Sequence, residues 1–223
     1  MRRLLAAVLV VGGCALLAFL LLRPVADSQQ TARAQVRLAE QLPGGPAPAA
    51  PVGRLAAVPV AGSAGTGEAL FTMQVPRFGA DWSWVVVQGT GLAQIALGPG
   101  HYRGTPLPGA RGNVAVAGHR AGHGSPFLEF DTLRPGDDVV LTQRGVRWTY
   151  RLTMAPRIIP VDATWVLDPT PDHELTLTTC WPRYGSSRRM YVRGDLTRVD
   201  SRRGAGWATT WSATRADSPS PRR

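Results

Sequence analysis

The nineteen residues from Leu4 to Leu22 carry no charge, and no run like this one recurs downstream. At about 1.5 Å per helical residue the run is roughly 28 Å long, close to the hydrocarbon core of a bilayer. It predicts a transmembrane anchor over residues 1–23. A cleavable signal peptide would have a shorter apolar stretch and small residues before the cut, whereas this run ends Leu20-Leu21-Leu22-Arg23. Val11-Gly12-Gly13-Cys14 loosely matches a lipoprotein cleavage box, yet apolar residues continue for eight positions past Cys14. Arg2 and Arg3 favour a cytoplasmic N-terminus, although Arg23 flanks the far end. With that orientation the rest of the chain is extracytoplasmic, on the outer side of the plasma membrane.

Beyond the anchor the pattern changes twice. Asp27 to Leu42 is polar and helix-compatible, and Pro43 to Pro51 alternates Pro, Ala and Gly. Residues 24–68 therefore read as a Pro/Ala/Gly-rich linker. Residues 69–200 read as a folded domain of short runs rich in Val, Thr, Leu, Ile and aromatics, bounded by Gly and Pro. These runs predict eight strands: Ala69–Val75, Trp84–Gln88, Asn113–Ala117, Asp138–Gln143, Arg147–Ala155, Arg157–Val161, Glu174–Cys180 and Met190–Leu196. Arg144-Gly145 suits a hairpin turn, and Leu92–Leu97 and Leu128–Leu133 suit short helices. So many short strands predict a mainly β fold, an eight-stranded closed or nearly closed barrel, since closure removes exposed edges. Residues 201–223 read as a basic disordered tail. Trp207 and Trp211 are unusual there; they either pack back on the domain or sit at a membrane surface.

All 25 basic residues are arginine, and the net charge is +10. Residues 69–200 hold fourteen arginines against eleven acids, so the folded part is near balance and the excess lies in the extensions. A nucleic-acid binder concentrates its charge on the folded part, so nucleic acid is not an expected partner. The basic ends read as solvated, with anionic lipid or wall polymer as the alternative. No Cys/His cluster has metal-ligand spacing, and no metal or other cofactor is expected. Asp137-Asp138 reads as a turn before a strand. His101 and His123 read as groove or structural residues, and His173 as solvated.

The candidate chemistry centres on Cys180, at the end of Leu175-Thr176-Leu177-Thr178-Thr179-Cys180. It is the only cysteine outside the apolar N-terminus, and an unpaired thiol in an exported domain is a candidate nucleophile. Alternation puts Thr176, Thr178 and Cys180 on one strand face and Leu175 and Leu177 on the other, towards a core. Residues 181 to 188 can return the chain as an antiparallel neighbour, bringing Arg189 within reach of the thiol; Arg188 is its near rival. His119 follows the strand Asn113–Ala117 at Gly118, where a reactive group can be both fixed and accessible. Thiol, imidazole and guanidinium suit acyl transfer, as nucleophile, proton carrier and fixed positive charge.

These residues resemble a sortase, the membrane-anchored cysteine transpeptidase family of Gram-positive bacteria. The family's Thr-Leu-X-Thr-Cys pattern is Thr176-Leu177-Thr178-Thr179-Cys180, its histidine matches His119 and its arginine matches Arg189. The segments Val75-Pro76-Arg77-Phe78-Gly79, Gly98-Pro99-Gly100-His101-Tyr102, Gly118-His119-Arg120, Pro126-Phe127, Leu133-Arg134-Pro135-Gly136-Asp137 and Trp165-Val166-Leu167 resemble class E, in the family's order, over roughly residues 69–198. Class E members commonly have histidine after the cysteine, where this chain has Trp181. The resemblance implies a sortase catalytic domain whose Cys180, His119 and Arg189 cleave a Leu-Ala-X-Thr-Gly-like signal between Thr and Gly. It also implies surface proteins with C-terminal sorting signals and a peptidoglycan precursor amine as partners. Tyr102 resembles the class E tyrosine linked to Ala at the second signal position, and Thr178 and Thr179 are expected to bind substrate. Two alternatives stand beside this reading: a cysteine peptidase that only hydrolyses its signal, and a catalytically silent binding protein of the same fold.

Overall fold

The computed structural model describes residues 2–42 and 58–213. The Pro-rich part of the expected linker, 43–57, and the last ten residues of the expected tail, 214–223, lie outside the described residues. One sheet holds β1 (Ala69–Gln74), β2 (Ser83–Gln88), β3 (Gly100–His101), β4 (Gly112–Ala117), β5 (Asp138–Gln143), β6 (Val146–Leu152), β7 (Arg157–Pro160), β8 (His173–Trp181), β9 (Arg188–Arg203) and β10 (Gly206–Ser212). The order β9-β6-β5-β1-β2-β3-β4-β8 returns to β9, because β8 also pairs with β9. Eight strands therefore close a barrel, while β7 and β10 attach to β9 outside the ring.

Local chemistry explains the strands. Along β5, Val139, Leu141 and Gln143 are buried and alternate with half-exposed neighbours, the period of a strand with one face on a core. Arg144 and Gly145 join β5 to β6 with φ of 48° and 72°, the left-handed pair that a two-residue hairpin requires. The barrel core is formed by Phe71, Met73, Leu141, Trp148, Tyr150, Leu175, Leu177, Val192 and Val199. Burying one such side chain contributes about 1.5–3 kcal/mol.

Three expectations are corrected. First, the ring does not use the predicted strand at Arg157–Val161; its eighth member is β3, two residues long and too short to show alternation. Second, residues 201–212 are not a disordered tail: β9 runs through to Arg203 and β10 returns along it. Both tryptophans pack back on the domain. The Trp207 ring lies under the Arg147 guanidinium at 4.0 Å, and Trp211 packs against the core 6.4 Å from the His173 ring. His173 is accordingly half-buried rather than solvated. Third, part of 24–68 is held against the barrel rather than free as a linker. Ala61 is buried, Trp148 Nε1 donates to Pro59 O at 2.7 Å, and the Gln143 amide bonds Gly62 through both its oxygen and its nitrogen.

The helix α1 (Arg2–Gln41) is continuous. Thr31, Ala34 and Leu38 are buried against the domain, while Leu9, Val10, Val11, Leu16, Leu17 and Phe19 are exposed. Among the described residues no helix is long and apolar enough to cross a membrane. The side chains at 1, 2, 4–8 and 20–22 of the expected anchor lie outside the described residues.

Candidate active site

Cys180 is half-exposed near the end of β8, a strand paired on both edges. Leu175 and Leu177 are fully buried in the barrel core. On the other face the Thr176 hydroxyl donates to Asn113 Oδ1 at 2.7 Å, and the Thr178 hydroxyl and Tyr102 Oη are 3.0 Å apart. The antiparallel register sets Arg189 of β9 directly opposite Cys180, and Arg188 opposite Trp181. Directly opposed residues share a sheet face with Cβ atoms about 4.5–5.5 Å apart. Arg189 is therefore the arginine beside the thiol. Its Nη1 donates to Ser186 O at 2.9 Å and Arg188 O at 3.1 Å, bonds that hold the guanidinium at the start of β9.

The other edge of β8 positions His119. The parallel register with β4 ends at Ala117 opposite Thr178. It continues as Gly118 N–H donating to Thr178 O at 3.1 Å and the Thr179 hydroxyl donating to Gly118 O at 2.8 Å. His119 is the next residue, as Cys180 is on β8. Glycine is required before it: a Cβ at 118 would lie 2.6 Å from the Phe127 ring. The His119 pKa lies below the ordinary imidazole value, first because burial disfavours the charged form and second because of His123, whose ring centroid is 4.9 Å away.

Cys180, His119, Arg189, Tyr102 and Thr178 open on a common cleft of about 1080 Å³. Thr179 also borders it, but its hydroxyl is engaged with Gly118, so its evident effect is on the backbone before His119. His101 lies outside: it is buried, its Nε2 donates to Pro106 O at 2.9 Å, and burial lowers its pKa. Asp137 and Asp138 are paired with Arg77 and Arg151 at 2.7 and 2.9 Å.

Two parts of the site gave no clear signal in the sequence. Arg120 is buried, with Nη2 2.9 Å from Asp131 and its guanidinium 4.9 Å from the Trp181 ring. Arg183 reaches the same Asp131 at 3.6 Å. This network ties the His119 loop to the loop after Cys180, through partners too far apart in sequence to give a signal. The second part is a wall formed by Arg23, Asp27 and Ser28 of α1, which borders the cleft together with Thr90, Leu92 and Ile95. Its one trace in the sequence is the spacing of four from Arg23 through Asp27 and Thr31 to Gln35, a single helix stripe.

Barrel and cleft together define a protein that presents a half-exposed thiol beside an imidazole and a guanidinium, the class suited to cysteine-based acyl transfer. Residues 73–197, more than half of the chain, match the sortase domain, and the chain belongs to the sortase family, whose members are cysteine transpeptidases. It is 34% identical over 110 residues to sortase SrtE1 of Streptomyces coelicolor, a match covering 44% of this chain but only 31% of that relative's length. The structure of sortase E from Streptomyces avermitilis is 37% identical with a TM-score of 0.58, covering 62% of this chain and 93% of that one. Sortase E1 from Streptomyces coelicolor, solved with a tripeptide in its active site, is 28% identical with a TM-score of 0.54, covering 61% and 93%.

Proposed function

We propose that this chain is a class E-type sortase that cleaves a Leu-Ala-X-Thr-Gly-like signal between Thr and Gly and transfers the Thr carbonyl to a peptidoglycan amine. The observation that carries this reading is the register of β8, with Arg189 opposite Cys180 on one edge and Gly118-His119 bonded along the other. Burial and the His123 ring favour neutral His119, which takes the thiol proton as sulfur attacks the Thr carbonyl carbon. Arg189 stabilises the oxyanion. The intermediate collapses by breaking the C–N bond, and His119 gives its proton to the leaving Gly-side amine. An incoming amine then attacks the thioester, its proton passes to His119, and the Cys180 thiolate departs. Tyr102, held against Thr178, borders the position of the Ala residue, and Thr178 and Thr179 shape the floor beneath the signal.

Sortases are typically membrane-anchored extracytoplasmic enzymes. The uncharged run Leu4–Leu22, with its exposed apolar side chains, supports the same placement for this chain, outside the plasma membrane with surface proteins as clients. The test uses the full chain in detergent with Leu-Ala-X-Thr-Gly and Leu-Pro-X-Thr-Gly peptides, with and without an amine acceptor. Cleavage at Thr–Gly, an amide product with the acceptor and preference for the Ala peptide are expected. Hydrolysis alone, whatever amine is supplied, would make the chain a peptidase. Folded protein that cleaves neither peptide would remove the reading.

A further inference from the structure

Arg23, Arg120, Arg183 and Arg189 border the cleft with His119, and the one carboxylate among the described lining residues is Asp27. Arg120 and Arg183 are paired with Asp131 and Glu129 behind the lining, which leaves Arg189 as the cation beside the thiol. Asp27 is on α1, outside residues 73–197 that match the sortase domain. It is half-exposed and makes no ion pair among the described residues. Arg23, one turn earlier on the same helix stripe, instead lies with its guanidinium 5.7 Å from the Phe19 ring.

The placement of Asp27 is built into the fold. One turn on, the Thr31 hydroxyl donates to Ala96 O at 2.9 Å. Two turns on, Gln35 Nε2 donates to Leu97 O at 2.8 Å and Val85 O at 3.1 Å, and Val85 N–H donates to Gln35 Oε1 at 2.7 Å. The Gln35 amide thus stands in for a neighbouring strand along β2, beyond the end of the short β3 partner. Residues four apart on a helix share a face, so the stripe that clamps α1 to the barrel also carries Asp27 to the cleft.

We infer that Asp27 is the docking carboxylate for the cationic amine acceptor. The inference rests on the transpeptidase reading above. An aliphatic amine is an ammonium ion at neutral pH and is repelled by the Arg189 guanidinium beside the thiol; a single carboxylate on the α1 wall gives it a favourable entry. Asp27 binds the ammonium and raises its concentration near the thioester. The docked ammonium gives one proton to water, which frees the nitrogen lone pair; as the C–N bond forms and the C–S bond breaks, the nitrogen loses a second proton to His119, and that proton ends on the Cys180 sulfur.

The experiment uses the full chain in nanodiscs, with a signal peptide as acyl donor and two acceptors compared: the charged amine glycinamide and hydroxylamine, which is uncharged at neutral pH. For Asp27→Asn the KM for glycinamide rises by about fivefold, the scale of one partly exposed ion pair, while the KM for hydroxylamine stays within error. Asp27→Glu restores the glycinamide value. A structural role for Asp27 would change both acceptors alike, and that result overturns the inference. So does an unchanged KM for both. If the unsubstituted chain forms no amide with either acceptor, the transpeptidase reading itself fails.

Discussion

The two walls of the cleft are built by different means. The β8 wall is a product of backbone register: once β4, β8 and β9 pair, His119, Cys180 and Arg189 have no freedom to be elsewhere. The α1 wall is a product of side chains: one hydroxyl and one amide, Thr31 and Gln35, hold a helix on the edge of β2 and so bring Asp27 to the same space. Register is shared with the barrel and cannot be lost without unfolding it. Helix docking can be loosened one bond at a time. In the proposed function, bond-breaking chemistry falls to the rigid wall, and recognition of the second substrate to the adjustable one.

Substitutions can break that division, beginning with the chemistry. Cys180→Ala is expected to lower peptide cleavage by about a thousandfold or more, and Arg189→Ala to lower kcat by about 10²–10³, both with unchanged urea midpoints. A residual rate in Cys180→Ala close to that of the parent would place the nucleophile elsewhere. Arg120→Met comes next, because it removes a buried guanidinium from Asp131 and Trp181. Asp131 keeps Arg183 and solvent, so the expected loss is about 2 kcal/mol in urea unfolding, below that for a fully buried pair. Arg120→Met should also lower kcat, since the network joins the loops that carry His119 and follow Cys180.

Gln35→Ala sharpens the comparison on the other wall. Losing the amide leaves Val85 N–H and two carbonyls without their partner, at a cost of about 1–2 kcal/mol in urea unfolding, while kcat for peptide hydrolysis falls far less than for Arg189→Ala. Equal losses in the two variants would erase the distinction between the walls. The smallest effect is expected from His123→Ala. His123 is the second cause of the lowered His119 pKa, after burial. Its removal lets His119 bind a proton at higher pH, so the acid limb of the kcat/KM profile moves up in pH. An acid limb that stays in place or moves down would show that the imidazole pair does not couple.

The same contrast explains what the sequence could show. The strand pattern and the fixed offset from Cys180 to Arg189 are local, so β8, the turn and β9 are legible in the order of residues alone. The Arg144-Gly145 hairpin is legible for the same reason. The ring is not fully legible, because β3 spans two residues, with no periodicity to detect. Nor is β10: Gly206–Ser212 holds two tryptophans and two threonines, but it is short and lies within 201–223, whose Arg, Ser, Gly and Pro content reads as solvated. Arg120 and Asp131 meet only when two loops are folded together. The α1 wall is hidden by composition, since a Thr and a Gln on a polar helix carry no sign that their partners are backbone atoms of Val85, Ala96 and Leu97.

In the proposed function Cys180 carries the acyl group between two substrates, and that group can be trapped. The full chain would be mixed with a Leu-Ala-X-Thr-Gly peptide without acceptor, quenched in acid within the first turnovers and read by intact mass and peptide mapping. The expected result is a Leu-Ala-X-Thr adduct on Cys180 that disappears when an amine is added, with the matching amide formed in its place. Cleavage of the peptide with no adduct at any quench time, and with activity retained in Cys180→Ala, would contradict it.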